Sequence, residues 1–203
     1  MRIDQRHVPF VYTLVVLTII SLASFTPRGN QQKVKEYFSI PGPVEYNKTM
    51  YQLSWSAHPA ANYYKQEYIP AGEKSESFNQ MIMVELVLGD IAAKDAVKAK
   101  IAELEQRKKT DPLANYQVIE NKATGEYLLD FIMSQGPVAE WNMYRYMKLK
   151  DASGKKGIQL FAYSKRAYGA ATNNFLKTLK TTRTPQINAF AAYAIPAIKL
   201  KAE

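Results

Sequence analysis

The chain reads as an α+β protein: an antiparallel β-sheet flanked by two or three helices, preceded by an apolar N-terminal helix for export or anchoring. Three observations predict this. Four strand-like runs between residues 116 and 166 follow one another across short turns, several carrying Gly or Pro, the pattern of an antiparallel meander. Ala93, Val97, Ile101 and Leu104 recur at three- and four-residue steps and form one apolar stripe on an otherwise charged helix. Val8 to Phe25 runs for 18 residues without a charge.

That N-terminal stretch lies on a boundary of length. A helix needs about 20 apolar residues to cross a hydrocarbon core, whereas the core of a secretory signal needs about 7 to 15. Arg2 and Arg6 precede it, so on either reading the rest of the chain ends up across the membrane. Ser21 and Ala23 are small enough for a signal peptidase, and cleavage after Ala23 is preferred over a retained single-span anchor. Residues 1–25 are therefore a signal peptide or a transmembrane anchor. The expected location is the periplasm, or the membrane with the domain on the non-cytoplasmic side.

Residues 26–45 read as a linker with a possible edge strand, Tyr37 to Ile40, closed by Pro41-Gly42-Pro43. The α+β domain spans residues 46–184. It starts with two aromatic, alternating runs, Met50 to Ser56 and Tyr63 to Ile69, joined by an irregular loop from Ala57 to Asn62. Phe78 to Leu88 is apolar on both faces apart from Glu85, as befits a central strand. Asp90 is the expected cap of the long helix, Lys108 and Lys109 suit the negative end of its dipole, and Asp111-Pro112 ends it. The meander strands follow at 116–120, 126–134, 139–150 and 157–166. Thr172 would cap a helix from Asn173 to Lys180 that buries Phe175, Leu176 and Leu179. Thr184-Pro185 reads as the start of a third helix, lined by Ile187, Phe190, Ala191 and Ala194, so that residues 185–203 form a C-terminal helix and tail.

Hydrophobic residues make up 47% of the chain and charged residues 22%, a composition that excludes a disordered chain. Its length suits one domain beyond the export segment. Cysteine is absent, so the fold has no disulfides and no thiol for a bacterial lipid anchor, which points to a bacterial envelope. The formal charge is +9, and removing residues 1–23 leaves +8. A basic surface draws acidic partners, but export disfavours nucleic acid, and no basic run is longer than Arg107-Lys108-Lys109.

Catalytic chemistry has little to work with. His7 and His58 are the only histidines, and no GxGxxG, P-loop, HExxH or GxSxG motif occurs, so no catalytic residue, metal ligand or cofactor is assigned. Glu67, Glu85, Asp130 and Glu140 fall in strands and keep a carboxylate-dependent hydrolase open as a rival. The plainer expectation is that Asp130 or Glu85 pairs with Arg145, which stands in the apolar row Trp141, Met143, Arg145, Met147 and Leu149.

Aromatic residues are abundant, with 14 tyrosines, eight phenylalanines and two tryptophans. Tyr144 and Tyr146 share a strand face with Glu140, Asn142 and Lys148, the composition of a half-exposed recognition surface, and Lys165 and Arg166 lie close to Tyr163 and Tyr168. Tyr144, Tyr146, Lys165 and Arg166 are the candidate partner-binding residues. A protein partner fits first, with anionic lipid or a glycan as alternatives. Ordinary cross-strand aromatic pairing is the other explanation of the tyrosines.

The order of elements from Tyr37 to Lys180, a strand pair, a central strand, one long helix, a meander and a C-terminal helix, resembles the PsbP/MOG1-like fold, also seen in small envelope proteins of the DcrB type. The resemblance implies a non-catalytic accessory or assembly role and carries over no functional residues. The expectation is thus a non-catalytic exported binding or accessory protein of the bacterial cell envelope. The alternatives are a membrane-anchored accessory subunit of an integral membrane complex and the carboxylate-dependent hydrolase.

Overall fold

The computed structural model describes residues 34–40, 42–149 and 154–201; the apolar stretch from Val8 to Phe25 and the cleavage site at Ala23 lie outside these. Eight strands make one antiparallel sheet: β1 (Val44–Tyr46), β2 (Thr49–Ala60), β3 (Tyr63–Pro70), β4 (Gln80–Leu88), β5 (Asn115–Asn121), β6 (Glu126–Gln135), β7 (Val138–Lys148) and β8 (Gly157–Tyr168). Among the described residues two helices flank it, α1 (Ala93–Arg107) between β4 and β5, and α2 (Ala171–Ala192) after β8. The strand order is β1-β2-β3-β4-β8-β7-β6-β5. Two meanders therefore meet at the middle, with α1 carrying the chain from the centre to the far edge.

The apolar pattern explains the position of each strand. Met81 to Val84 are buried on both faces, which is why β4 sits centrally between β3 and β8. One face of the sheet packs Leu129, Phe131, Tyr146, Leu160 and Ala162 under Ala93, Val97 and Leu104 of α1. The other packs Trp141, Met143, Phe161 and Tyr163 under Leu179, Ile187 and Phe190 of α2. Phe38 and Ile40 from the N-terminal segment and Ile198 from the tail complete this second core. Each side chain buried as fully as Phe190, at 0% exposure, contributes roughly 1.5–3 kcal/mol.

Several local expectations are corrected. Tyr37 to Ile40 is not a strand; the edge strand is β1, and Tyr37 and Phe38 instead accept hydrogen bonds at their carbonyls from the N–H groups of Lys201 and Lys199, each at 2.8 Å. The irregular loop from Ala57 is strand: β2 runs on to Ala60, and two register shifts against β3 absorb the extra residues. His58 thereby stacks on Tyr64, ring centres 3.9 Å apart. Asp90 does not cap α1, whose N-cap is Ala92 with no side-chain bond; Asp95 supplies the negative charge in the first turn. Thr184-Pro185 starts no helix. α2 continues through Pro185, because Leu179 before it and Ile187 and Phe190 after it are held in the same core.

Candidate functional site

Alternation along β7 and β8 decides where the predicted site residues point. Tyr144, Tyr146 and Arg166 lie on the α1 face, and Lys165 lies on the α2 face, so the four do not form one surface. The half-exposure expected of the tyrosine row is corrected for Tyr146, which is 6% exposed within the core under α1; Tyr144 is half-buried and meets Phe131 edge-on at 4.8 Å. Burial, with the charge of nearby Glu85 and, for Tyr144, Glu140, pushes both hydroxyls well above the ordinary tyrosine range. Arg166 is paired with Glu140 and lies 4.0 Å over the Phe78 ring.

Arg145 pairs with neither expected carboxylate. Its Nη2 reaches Glu126 at 3.0 Å, and its Nη1 donates to the carbonyls of Phe190 and Tyr193 at 3.0 and 2.8 Å, closing the C-terminal end of α2. Asp130, fully buried, instead accepts the Trp141 indole N–H at 2.5 Å and both Nε and Nη2 of Arg183 at 2.8 Å. Arg107 binds Asp111 at 3.1 Å and donates to the Ser134 carbonyl at 2.6 Å. All four arginines among the described residues, Arg107, Arg145, Arg166 and Arg183, thus hold a carboxylate that ties elements together. A cavity of about 140 Å³ opens beside Arg107, Ser134, Glu140 and Arg166, but its charged groups are engaged in these pairs.

The open ground is elsewhere on the α1 face. α1 packs on β5, β6 and β7, and toward β2 the same face carries a strip of Trp55, Tyr63, Lys65, Glu67 and Glu85. Tyr63, Lys65 and Glu67 of β3 are half-buried and alternate with the buried Tyr64, Gln66 and Tyr68 on the α2 face. Trp55, opposite Glu67, is 41% exposed. Lys65 stands at the centre, its Nζ 3.0 Å from Glu67, 3.7 Å from Glu85 and 5.8 Å from the Trp55 ring centre. Burial opposes the charge on Lys65, but Glu85 and Glu67 outweigh it and hold the amine above its usual range. For Glu85 burial prevails over the pull of Lys65, the Tyr63 hydroxyl and Lys100, and its carboxyl is raised. One cation between two carboxylates makes this strip an acidic spot on a basic protein.

Sequence reading singled out Glu67 and Glu85 but not the strip they share with Trp55, Tyr63 and Lys65, because only the path of α1 shows which half of the face is covered. Among the described residues no group of three or more His, Cys, Asp or Glu is placed to hold a metal ion, and no helix is long and apolar enough to cross a membrane. The model of one protein family matches residues 38–195. No curated protein and no solved structure matches the chain.

Proposed function

The chain belongs to the family matched over residues 38–195, and we propose that it is a non-catalytic binding or accessory protein of the bacterial cell envelope, exported by residues 1–25 and offering its open strip to a protein partner. The observation that carries this reading is Trp55, a large aromatic held 41% exposed on a strand beside the Lys65, Glu67 and Glu85 group. An exposed tryptophan on a rigid strand is the residue type interface centres favour, where a few aromatics supply most of the binding energy, and the paired charges beside it suit the polar rim. The excess of carboxylates favours a partner with a basic patch over anionic lipid. The accessory role is the one implied by the resemblance of the element order to PsbP-like proteins. An uncleaved N-terminal helix would make the same domain a membrane-anchored subunit.

The carboxylate-dependent hydrolase draws less support. Asp130 lies on the face opposite Glu67, Glu85 and Glu140 and is held by Arg183 and Trp141, so it cannot share a bond with them. A photocrosslinking residue at position 55, in the native envelope, tests the binding reading. It should capture one discrete protein, and Trp55→Ala should weaken binding of that protein about thirtyfold, as loss of an interface centre does. No capture at position 55, or capture equal to that from a probe at Lys122, would overturn it.

A further inference from the structure

We propose that the chain self-associates through β5, two copies pairing antiparallel about Val118 so that their sheets become one. This goes beyond the binding role and does not depend on it. Among the described residues β5 is an edge strand that pairs only with β6, in unbroken register from Asn115 to Asn121. Natural edges are blunted by shortness, bulges, proline or lysine. The other edge shows these devices: β1 has three residues, and the part of β2 beyond it carries two register shifts and Pro59. β5 carries none of them, and it exposes Val118 and Ile119 at 37% and 38%.

The backbone points the right way. Asn121 faces β6, its carbonyl closing the hairpin by accepting the Gly125 N–H at 2.8 Å, whereas the Tyr116 N–H is taken by the Asn115 side chain at 2.8 Å. Alternation then turns the N–H and C=O groups of Tyr116, Val118 and Glu120 toward the free edge. A two-fold axis through Val118 sets it against itself as a doubly hydrogen-bonded pair and sets Tyr116 against Glu120 of the second copy, where the Tyr116 N–H must first leave the Asn115 side chain. The side chains agree with that register. Asn115 meets Asn121 and Gln117 meets Ile119 on one face. On the other, Glu120, which accepts the Tyr127 hydroxyl at 2.8 Å, arrives beside Tyr116, over whose ring Lys108 Nζ lies at 4.2 Å, so it joins Glu105, 2.8 Å from that lysine, as a second carboxylate at each end of the seam.

Because the chain has no cysteine, Val118→Cys in the full-length protein introduces a single thiol. Cα atoms of a hydrogen-bonded antiparallel pair lie about 5.5 Å apart, within the range of roughly 4.4–6.8 Å that a disulfide spans. Oxidation should link Val118→Cys into a species of twice the 23.0 kDa chain mass. Ile119→Cys, off the axis, should link at least about tenfold less. Association through the apolar N-terminal stretch would not distinguish the two. Val118→Pro removes an N–H that β6 does not use, so by sedimentation it should lose the β5-dependent dimer while keeping its circular dichroism. Glu120→Lys should weaken the dimer about tenfold, and Lys108→Glu added to it should restore it. Equal linking of both cysteines, or none at Val118→Cys, overturns the proposal.

Discussion

Asp111 shows how one residue can hold an element boundary. It is buried just beyond the end of α1 and accepts the N–H and hydroxyl of Ser134 at 2.6 Å each, the Leu113 N–H at 3.0 Å and Arg107 at 3.1 Å. Burial opposes its charge, but these donors prevail and hold its carboxyl below the ordinary 3.8. A lowered carboxyl contributes stability that is present above its unfolded value and lost as pH falls through the folded one. Asp111→Asn should therefore cost about 2–3 kcal/mol in urea denaturation at neutral pH, because buried donors lose a charged acceptor. That cost should shrink below pH 3.8. Glu85 has the opposite sign. Its raised value gives stability that is full below 4.5 and lost as pH climbs through the folded value. Glu85→Gln should flatten the decline of the wild-type urea midpoint as pH rises from 4.5, and a wild-type decline that survives the substitution would rule out Glu85 as its source.

At the scale of elements, α2 and the tail carry the least ordinary features. Pro185 lacks the N–H that a helix would direct at the Thr181 carbonyl, an interior position that costs up to about 3 kcal/mol relative to alanine. Pro185→Ala should raise the thermal midpoint, with a gain of about 1–2 kcal/mol once the looser unfolded chain is counted. A lower midpoint would show that the proline shapes the helix to fit the sheet. Truncation before Ile198 removes a side chain only 3% exposed and the hydrogen bonds from Lys199 and Lys201, and should cost about 3–5 kcal/mol. These elements also mark the limit of sequence reading. The meander, the stripe of α1 and the double-sided burial of β4 were legible because their periodicity comes from local geometry. Helix through Pro185, strand through His58 and the covering of Tyr146 were not, since each depends on contacts made by distant segments: Arg183 with Asp130, β3 with β2, α1 over β7.

At the scale of the whole molecule, the arginines are drawn into carboxylate pairs, so the excess positive charge at the surface is largely lysine. Lysine is strongly hydrated and suits a soluble basic surface better than a specific anion site. The proposed recognition therefore falls to the Trp55 strip, where charges of both signs are arranged by strand register. Export is testable on the same scale. The intact mass from the native envelope should lack residues 1–23, whereas a full-length mass in the membrane fraction would favour the anchored subunit.

The strand order also bears on when the fold can form. β4, at the centre of the sheet, has β8 for its neighbour on one side, and α1 and all of β5, β6 and β7 are synthesised between them. The N-terminal segment at Tyr37 and Phe38 waits still longer, for Lys199 and Lys201. Partners so far apart in sequence meet late, because long loops must close first. A nascent chain can pair β1 to β4 early, but the sheet cannot join into one until β8 has been made, and the Lys199 and Lys201 bonds come later still.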